Sequence, residues 1–457
     1  MIPFSALAGA ENNPKTTRPR EMKITLIGQD IPMLLPTLLT DLLFAGKEPQ
    51  AEIAVEEGNP AMRQVLDGYG RAIFRKAGLG GAMTVTGDRA EALKGADCVI
   101  YAGDCQPGSR FAMDRSALGN DDEDDPGLTD QARVNGGIGG LMHALRAGEE
   151  VLRLCETMDA CCPDALVINL GQPVARTTGV FLRRGYRCLG LGRTPMKGAN
   201  GLETILKRMK IKPDRVHAVV AGLPGFAFLT ELRDKKSGED LLPRLKKAAE
   251  NGELGTLSAR WLAWWDALPV GDVTDHAEFL PAQEDYQPEE RPEFGESIER
   301  RKERILYMNT VGEQGADAQE GAMAQLLLLS KAPPIRPMRL ALAVLRKESA
   351  RLPAVTHENR GEMPQLPWHA IVETELNLEE GVAVSRGIRV PEALADILRD
   401  VDEMNRLAAR AVGGDREAVR EYVEDDPALA GLDRLYCQQV VSALIQLHGD
   451  VLPGFRD

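Results

Sequence analysis

Short apolar runs alternate with longer stretches of helical period from the start of the folded chain. Lys23-Ile-Thr-Leu-Ile-Gly28 is a β-rich run closed by glycine, and the apolar density that follows predicts a helix over 32–44. Glu52-Ile-Ala-Val55 is a second run, ending in Glu56-Glu57, with a helical stretch behind it to Lys76. Met83-Thr-Val-Thr86 and Ala96-Asp-Cys-Val-Ile-Tyr101 read as strands, separated by a short helix over 88–93. Gly136-Gly-Ile-Gly-Gly140 opens a long helix through Cys161, and Ala165-Leu-Val-Ile-Asn-Leu170 is a buried strand that stops at Gly171-Gln-Pro173. The runs 187–192 and 216–221 continue the pattern. Strands that alternate with helices, without hairpin turns between them, predict βαβ units and a parallel sheet.

Between about 240 and 330 the chain becomes charged and Trp-containing, with the Pro/Glu-rich segment Gln287-Pro-Glu-Glu-Arg-Pro292. Beyond Pro391 three helices are expected, over 392–412, 416–423 and 433–448. No internal repeat or sustained heptad pattern is present. A chain of 457 residues is too long for one ordinary core. The expected organisation is a disordered leader over 1–21, a Rossmann-type dinucleotide-binding domain over 22–195, and an α-rich α+β domain over 196–457 for substrate and oligomerisation.

Charge narrows the partners. A formal net charge of -14 makes the surface acidic, which disfavours a nucleic-acid partner but leaves room for a small anionic substrate held by local arginines. The seven cysteines are odd in number, several sit in apolar runs, and none forms a CxxC pair, which predicts buried thiols in a reducing compartment. No stretch reaches the roughly 20 apolar residues that span a bilayer, so no membrane partner is expected. In the leader an apolar piece over 2–10 precedes the basic residues, the wrong order for a secretory signal, and a cytoplasmic protein is the expectation. The acidic run over 121–125 reads as a solvated loop.

A strand, a tight glycine turn and a helix amino terminus together make a pyrophosphate site, because the helix end offers N–H groups and partial positive charge. Gly28-Gln29-Asp30-Ile31-Pro32 has this layout. Asp30, however, replaces the glycine at which main chain approaches the pyrophosphate, and its charge would oppose a phosphate by on the order of a few kcal/mol. Pro32 is tolerable near the helix start. Glu57 stands where an acid binds ribose hydroxyls, and it would favour NAD over NADP by repelling a 2′-phosphate. Two readings follow: an NAD site built on Gly28, Gln29, Asp30 and Glu57, or a Rossmann-type layer kept as scaffold.

Several segments, in order, resemble the family 4 glycoside hydrolases. The family's GADFVI is similar to Gly95-Ala-Asp-Cys-Val-Ile100, and its GPGG turn followed by ALR to Gly137-Ile-Gly-Gly140 and Ala144-Leu-Arg146. Its CPDAWLINFTNP resembles Cys162-Pro-Asp-Ala-Leu-Val-Ile-Asn-Leu-Gly-Gln-Pro173, and its GDRHVAEFFP resembles Gly271-Asp-Val-Thr-Asp-His-Ala-Glu-Phe-Leu-Pro281. Asn359-Arg-Gly-Glu-Met-Pro-Gln-Leu-Pro367 with Val372-Glu373, then Gly414-Asp-Arg-Glu-Ala418 and Asp426-Pro427, complete the set. The resemblance implies the lactate/malate dehydrogenase-like architecture of that family, homo-oligomers, a carbohydrate substrate and NAD. It also implies an unusual chemistry. NAD oxidises the sugar C3 hydroxyl, and a divalent metal, usually manganese, polarises the resulting carbonyl. A base, often tyrosine, removes the C2 proton, the C1 group leaves, water adds and the hydride returns. Asn169 would stand at the cofactor, and Gln172, in place of the Asn of the family's NP pair, at the substrate.

The departures fall on the chemistry. Where the family has its metal cysteine after a strand, Leu189-Gly-Leu191 is followed by Gly192-Arg193; where it has the histidine of GLNH, the segment is Gly222-Leu-Pro-Gly225. Glycine offers no donor atom, so manganese is not expected. Trp261-Leu-Ala-Trp264-Trp265 stands where the family has its tyrosine base, and indole is no base. The three tryptophans read either as packing between lobes or as a stacking platform for a sugar. Arg110 and Arg115 read either as salt-bridge partners or as recognition of a substrate phosphate or carboxylate. His276, in the matched GDRH segment, is a structural histidine or a catalyst, and Arg193 could polarise a keto sugar electrostatically. Cys188 reads as a core thiol and His217 as a strand-face histidine. The expectation is therefore a family 4-like protein that acts on or binds a glycoside with NAD, with its metal-dependent redox-elimination lost or altered. If active, it is a glycosidase or a sugar oxidoreductase. The alternative is a non-catalytic sugar- or nucleotide-binding relative, or a structural subunit.

Overall fold

The computed structural model describes residues 22–43, 51–77, 83–103, 107–119, 128–192, 195, 201–271, 273–281, 298–313, 320–322, 325, 336–385 and 387–456. The leader over 1–21, the runs 121–125 and 287–292, Cys105 and Arg193 lie outside the described residues.

Six strands, β1 (Met22–Ile27), β2 (Ala51–Glu56), β3 (Met83–Thr86), β4 (Cys98–Tyr101), β5 (Leu166–Asn169) and β6 (Arg187–Gly190), pair in parallel in the order 3-2-1-4-5-6. The apolar runs of β4 and β5 are buried on both faces, as a sheet covered by helices requires. Their alternation sends Val99, Tyr101 and Val167 into one core and Cys98, Ile100, Leu166 and Ile168 into the other. The helices in this half are α1 (Ile31–Leu43), α2 (Pro60–Ala77), α3 (Arg89–Leu93), α4 (Pro107–Ala117), α5 (Gly137–Cys161) and α6 (Val174–Arg183). Asp88 caps α3 by accepting from the N–H groups of Ala90 and Glu91.

The second half departs from the sequence reading in two ways. β7 (Val216–Leu223) does not continue the parallel series: it turns back into β8 (Phe226–Asp234) as an antiparallel hairpin. Leu223 pairs with Phe226, so Pro224 and Gly225 are a two-residue turn, with φ +79° at Gly225, the proline-then-glycine chemistry of a type II turn. The second half also carries β9 (Leu268–Val270), β10 (Ala350–Glu358), β11 (Ile371–Glu379) and β12 (Val382–Val384). These extend the sheet past β6 as β10-β11-β7-β8-β9, all antiparallel, with β12 on β11.

Helices α7 (Leu202–Arg208), α8 (Leu242–Glu250), α9 (Thr256–Trp265) and α10 (Val273–Ala277) belong to this half. Two later helices, α11 (Ile298–Glu313) and α12 (Pro337–Leu345), lie instead on the parallel layer, where Met308, Val311, Met338 and Leu340 join the core of β1, β2 and α2. α11 crosses α2 so closely that a Cβ on Gly312 would stand 2.9 Å from the main chain of Gly68. The last helices, α13 (Glu392–Ala411), α14 (Arg416–Asp425) and α15 (Arg434–Leu447), fall where the sequence placed them and bury one face against α5. Among the described residues no helix is long and apolar enough to cross a membrane.

Candidate functional site

In an open parallel sheet ligands bind beyond the carboxyl ends of the strands, where the strand order reverses, here between β1 and β4. Gly28 leaves β1 at φ +123°, and a Cβ there would come within 2.3 Å of the Ala102 carbonyl, so the crossing of these two strand ends requires glycine. The Asp30 N–H donates to Ala102 O at 3.2 Å, and α1 begins at Ile31. Gln29 is exposed. The Asp30 carboxylate pairs with Arg301 on α11, while Arg304 donates to Met33 O at 3.0 Å. The repulsion expected of Asp30 is thus offset by a cation that its sequence neighbourhood does not reveal. Glu57 follows β2, half-buried, and its Oε1 accepts from the Asn59 N–H at 2.8 Å. Arg63 holds the same bend by donating to the main-chain oxygens of Glu57 and Gly58, both at 2.9 Å.

At the end of β5, Asn169 is fully buried. Its Nδ2 donates to Thr177 and Thr178 Oγ1, each at 2.9 Å, and its Oδ1 accepts from the Gly171 N–H at 2.9 Å. The amide so used fastens α6 to β5. Gln172 is half-buried and joined to Pro173 by a cis peptide.

Gly192 lies just beyond β6, where a Cβ would stand 3.1 Å from Val174 Cγ1. Gly225, in the β7–β8 turn, faces Phe279 at 3.7 Å. Phe279 in turn packs behind the amino end of α5, where a Cβ on Gly136 would lie 2.0 Å from Glu278 O. The turn, the 275–281 segment and the start of α5 therefore share one edge. Gly192 and Gly225 carry no side-chain donor, and among the described residues no group of three His, Cys, Asp or Glu side chains could hold a metal. The donor set does not fit a transition metal at these positions.

His276 is buried, and its Nε2 donates to Ala227 O at 2.9 Å. Its ring stacks on Trp261 at 5.5 Å and meets Phe226 and Phe228 at 5.2 and 5.3 Å. Trp261 stacks on Trp265 at 6.1 Å, and both belong to the core between the hairpin and α13. That is the packing reading of the tryptophans. Trp264, 51% exposed beside the Arg260 guanidinium, is the one of the three with an open indole face.

Arg110 is buried away from this edge. It donates to Asp450 Oδ1 at 2.8 Å and contacts His448 Nδ1 at 3.3 Å. His448 Nε2 donates to Asp114 Oδ1 at 2.6 Å, and Asp114 takes both Nη groups of Arg146 at 3.0 and 2.7 Å. This network locks the end of the chain to α4 and α5, so Arg110 serves as a salt-bridge partner. Arg115 is exposed on the last turn of α4.

Residues not singled out in the sequence build the start of α5. Glu278 Oε2 accepts from the N–H groups of Val134 and Asn135 at 3.2 and 2.7 Å, and Asp426 Oδ2 from Gly137 N–H at 3.0 Å. Burial raises the Asp426 carboxyl above its usual range. Arg176 donates to Asn405 Oδ1 at 3.0 Å and to the Tyr422 hydroxyl at 3.1 Å. Burial, then the Arg146 charge, pushes His143 down to about 3. Their signals in the sequence were faint: Asp426, Glu278 and the glycines of 137–140 belong to matched segments, whereas Arg176 finds its partners far along the chain.

A parallel layer with its switch point at β1/β4, prolonged by an antiparallel sheet, defines an α/β protein of the dinucleotide-binding class. The chain belongs to the family 4 glycosyl hydrolases: the model of that family matches residues 23–208, and that of its C-terminal domain residues 220–429. An alpha-glucosidase of Erwinia rhapontici is 29% identical over 219 residues, 48% of this chain and 47% of that enzyme. An alpha-galactosidase of Bacillus subtilis is 31% identical over 115 residues, 25% and 26% of the two chains. The chain thus spans about half the length, or less, of the curated relatives it matches. A 6-phospho-alpha-glucosidase from gut microorganisms, solved with NAD and Mn2+, superposes with a TM-score of 0.73 at 17% identity over 96% of this chain and 100% of that one. The 6-phospho-beta glucosidase of Thermotoga maritima, solved with manganese, NAD+ and glucose-6-phosphate, gives 0.65 at 16% over 94% and 99%. At such identities these two likenesses concern the fold.

Proposed function

We propose that the protein binds NAD across the carboxyl ends of β1, β2 and β4 and a small glycoside beside it, with the manganese-dependent redox-elimination of its family lost or altered. The relatives named above supply the substrate class and the dinucleotide. The observation that carries the departure is the pair of donorless positions, Gly192 and Gly225. When bound, NAD supplies a hydride acceptor for a sugar hydroxyl carbon. The residues in hand bind and orient: Glu57 accepts from the adenosine ribose, the start of α1 faces the diphosphate, and Arg301 cancels the charge of Asp30 there. Calorimetric titration tests the reading. NAD is expected to bind, NADP to bind at least tenfold more weakly because Glu57 repels its 2′-phosphate, and chelator to change neither. Silence at millimolar NAD would sink it.

A second reading, a sugar- or nucleotide-binding protein without catalysis, is favoured by the burial of Trp261 in place of a base and the commitment of His276 to Ala227 O. Exchange of label at a sugar C3 in the presence of NAD separates the two, since the binding protein gives none.

A further inference from the structure

α15 buries one face, through Cys437, Val441, Leu444 and Ile445, and turns the other to solvent. Its sequence, Arg-Leu-Tyr-Cys-Gln-Gln-Val-Val-Ser-Ala-Leu-Ile-Gln-Leu, carries one charge in 14 residues, at Arg434. The chain as a whole is 27% charged, so a solvent face of this length with no carboxylate stands apart from the rest of the surface. Of the seven large apolar side chains exposed among the described residues, three stand on this helix: Leu435 at 65%, Tyr436 at 51% and Leu447 at 44%.

The spacing on that face is regular. Tyr436, Val440, Ala443 and Leu447 follow at intervals of four, three and four residues, the alternation of a coiled-coil seam, and fall within about 60° of arc at 3.6 residues per turn. Val440 is half-buried and the other three are exposed. Two properties of the seam select its occupant. Its intervals read the same in both directions. A second copy of the helix, laid antiparallel about a two-fold axis, therefore sets Tyr436 over Leu447 of that copy and Val440 over its Ala443, with the small side chain at the crossing point. The other property is charge. A two-fold contact sets each face against itself, and in a chain with a net charge of -14 a face of ordinary composition would repel its copy. A face without carboxylates does not, and it offers a charged partner nothing to pair with. A contact of standard size takes about 800 Å2 from each partner, more than a helix about 21 Å long presents. The neutral surface continues on α4, clamped to the end of α15 through Asp114 and His448, where Ser109, Ala112, Ser116 and Ala117 are exposed and Arg115 is the one exposed charge.

We propose that the exposed face of α15 is the seam at which two copies of this chain join, antiparallel about a two-fold axis, with Val440 and Ala443 at its centre.

The test is sedimentation of the full chain across the micromolar range, for wild type, Ala443→Glu, Val440→Lys and an equimolar mixture of the two variants. Wild type is expected to associate reversibly. Each variant alone is expected to associate roughly tenfold more weakly or less, because a charge is then buried against an apolar side chain. The mixture is expected to regain association, since the new carboxylate of one chain faces the new ammonium of the other. A wild type that stays monomeric, an A443E chain that associates as tightly as wild type, or a mixture no better than either variant overturns the proposal. The first is also the outcome if another segment of the same chain covers the face. Should a variant fail to fold, amide hydrogen exchange of wild type decides: slower exchange over 434–447 at high than at low protein concentration supports the seam, and equal rates remove it.

Discussion

Glu373 sits mid-strand in β11, opposite Thr356 of β10 and Gly222 of β7, and is buried. Its Oε2 and the Thr356 Oγ1 have no hydrogen-bond partner among the described residues. Burial alone pushes the carboxyl up to about 8, from an ordinary 4.5. The folded chain then binds a proton that the unfolded chain releases between these values. The associated stability is complete below 4.5 and is lost as pH rises through 8. Glu373→Gln keeps the shape and removes the titration. The expected result is a variant whose thermal midpoint gains on wild type from pH 5 to pH 9, worth ~2 kcal/mol or more at the alkaline end; a difference that does not change with pH would refute this. His143 acts in the opposite sense. Its proton affinity is lowered from 6.5 to about 3, so the stability tied to its neutral form is lost as pH falls through that window. His143→Gln is expected to flatten the acid limb of the same curve. Neither behaviour was visible in the sequence. Glu373 stood there within a matched Val-Glu segment, but the lack of a partner is a property of three strands from distant parts of the chain.

At the scale of the element, what could be read was what neighbours decide. The glycine cluster ahead of α5, the Asp88 cap of α3 and the periodicity of α13 are local signals, and each element lies where its pattern put it. The β7–β8 hairpin was missed although Pro224-Gly225 announces a turn, because the preceding rhythm of strand and helix suggested another crossover. β10 and β11 were missed as strands because their charged residues, Arg351, Glu358, Glu373 and Glu375, interrupt the apolar run and find partners or burial only across the sheet. The hairpin also governs how the lost donors could be restored. A side chain at Gly225 must accept φ +79°, a conformation that costs most residues about 1–2 kcal/mol. A Cβ at Gly192 is pressed 3.1 Å from Val174 Cγ1, which needs a shift of a few tenths of an ångström. Gly192→Cys is therefore expected to melt close to wild type and Gly225→His a few degrees lower. If the edge keeps the family's geometry, manganese raises the midpoint of the double variant and leaves each single variant unmoved. Equal manganese effects on all three would show that the ion binds elsewhere.

The whole molecule does not separate as the chain order suggests. The dinucleotide site could be anticipated as a place, from Gly28 and Glu57, but the partner that neutralises Asp30 comes from 271 residues away, on a helix of the second half. The same return path completes the core: α11 and α12 cover the face of the parallel layer that holds Leu26, Ile53 and Leu66, while α13, α14 and α15 cover the other. At its carboxyl end the chain is clamped to α4 through the Arg110–Asp450 and His448–Asp114 contacts, and Asp114 in turn holds Arg146 of α5. Residues 22–195 expressed alone would keep α1–α6 but lose the returning helices that complete the cover of both faces, together with the ion pairs at Asp30, Asp41 and Asp114 that reach beyond that segment. Uncovered apolar area on that scale is enough to abolish a cooperative fold, since the net stability of a domain is only ~5–15 kcal/mol. The full chain is therefore expected to unfold in one calorimetric transition, and the 22–195 segment to give none and to bind no NAD. Two separated transitions in the full chain, or a cooperative melt of the isolated segment, would show that the parallel layer stands without the helices that return to it.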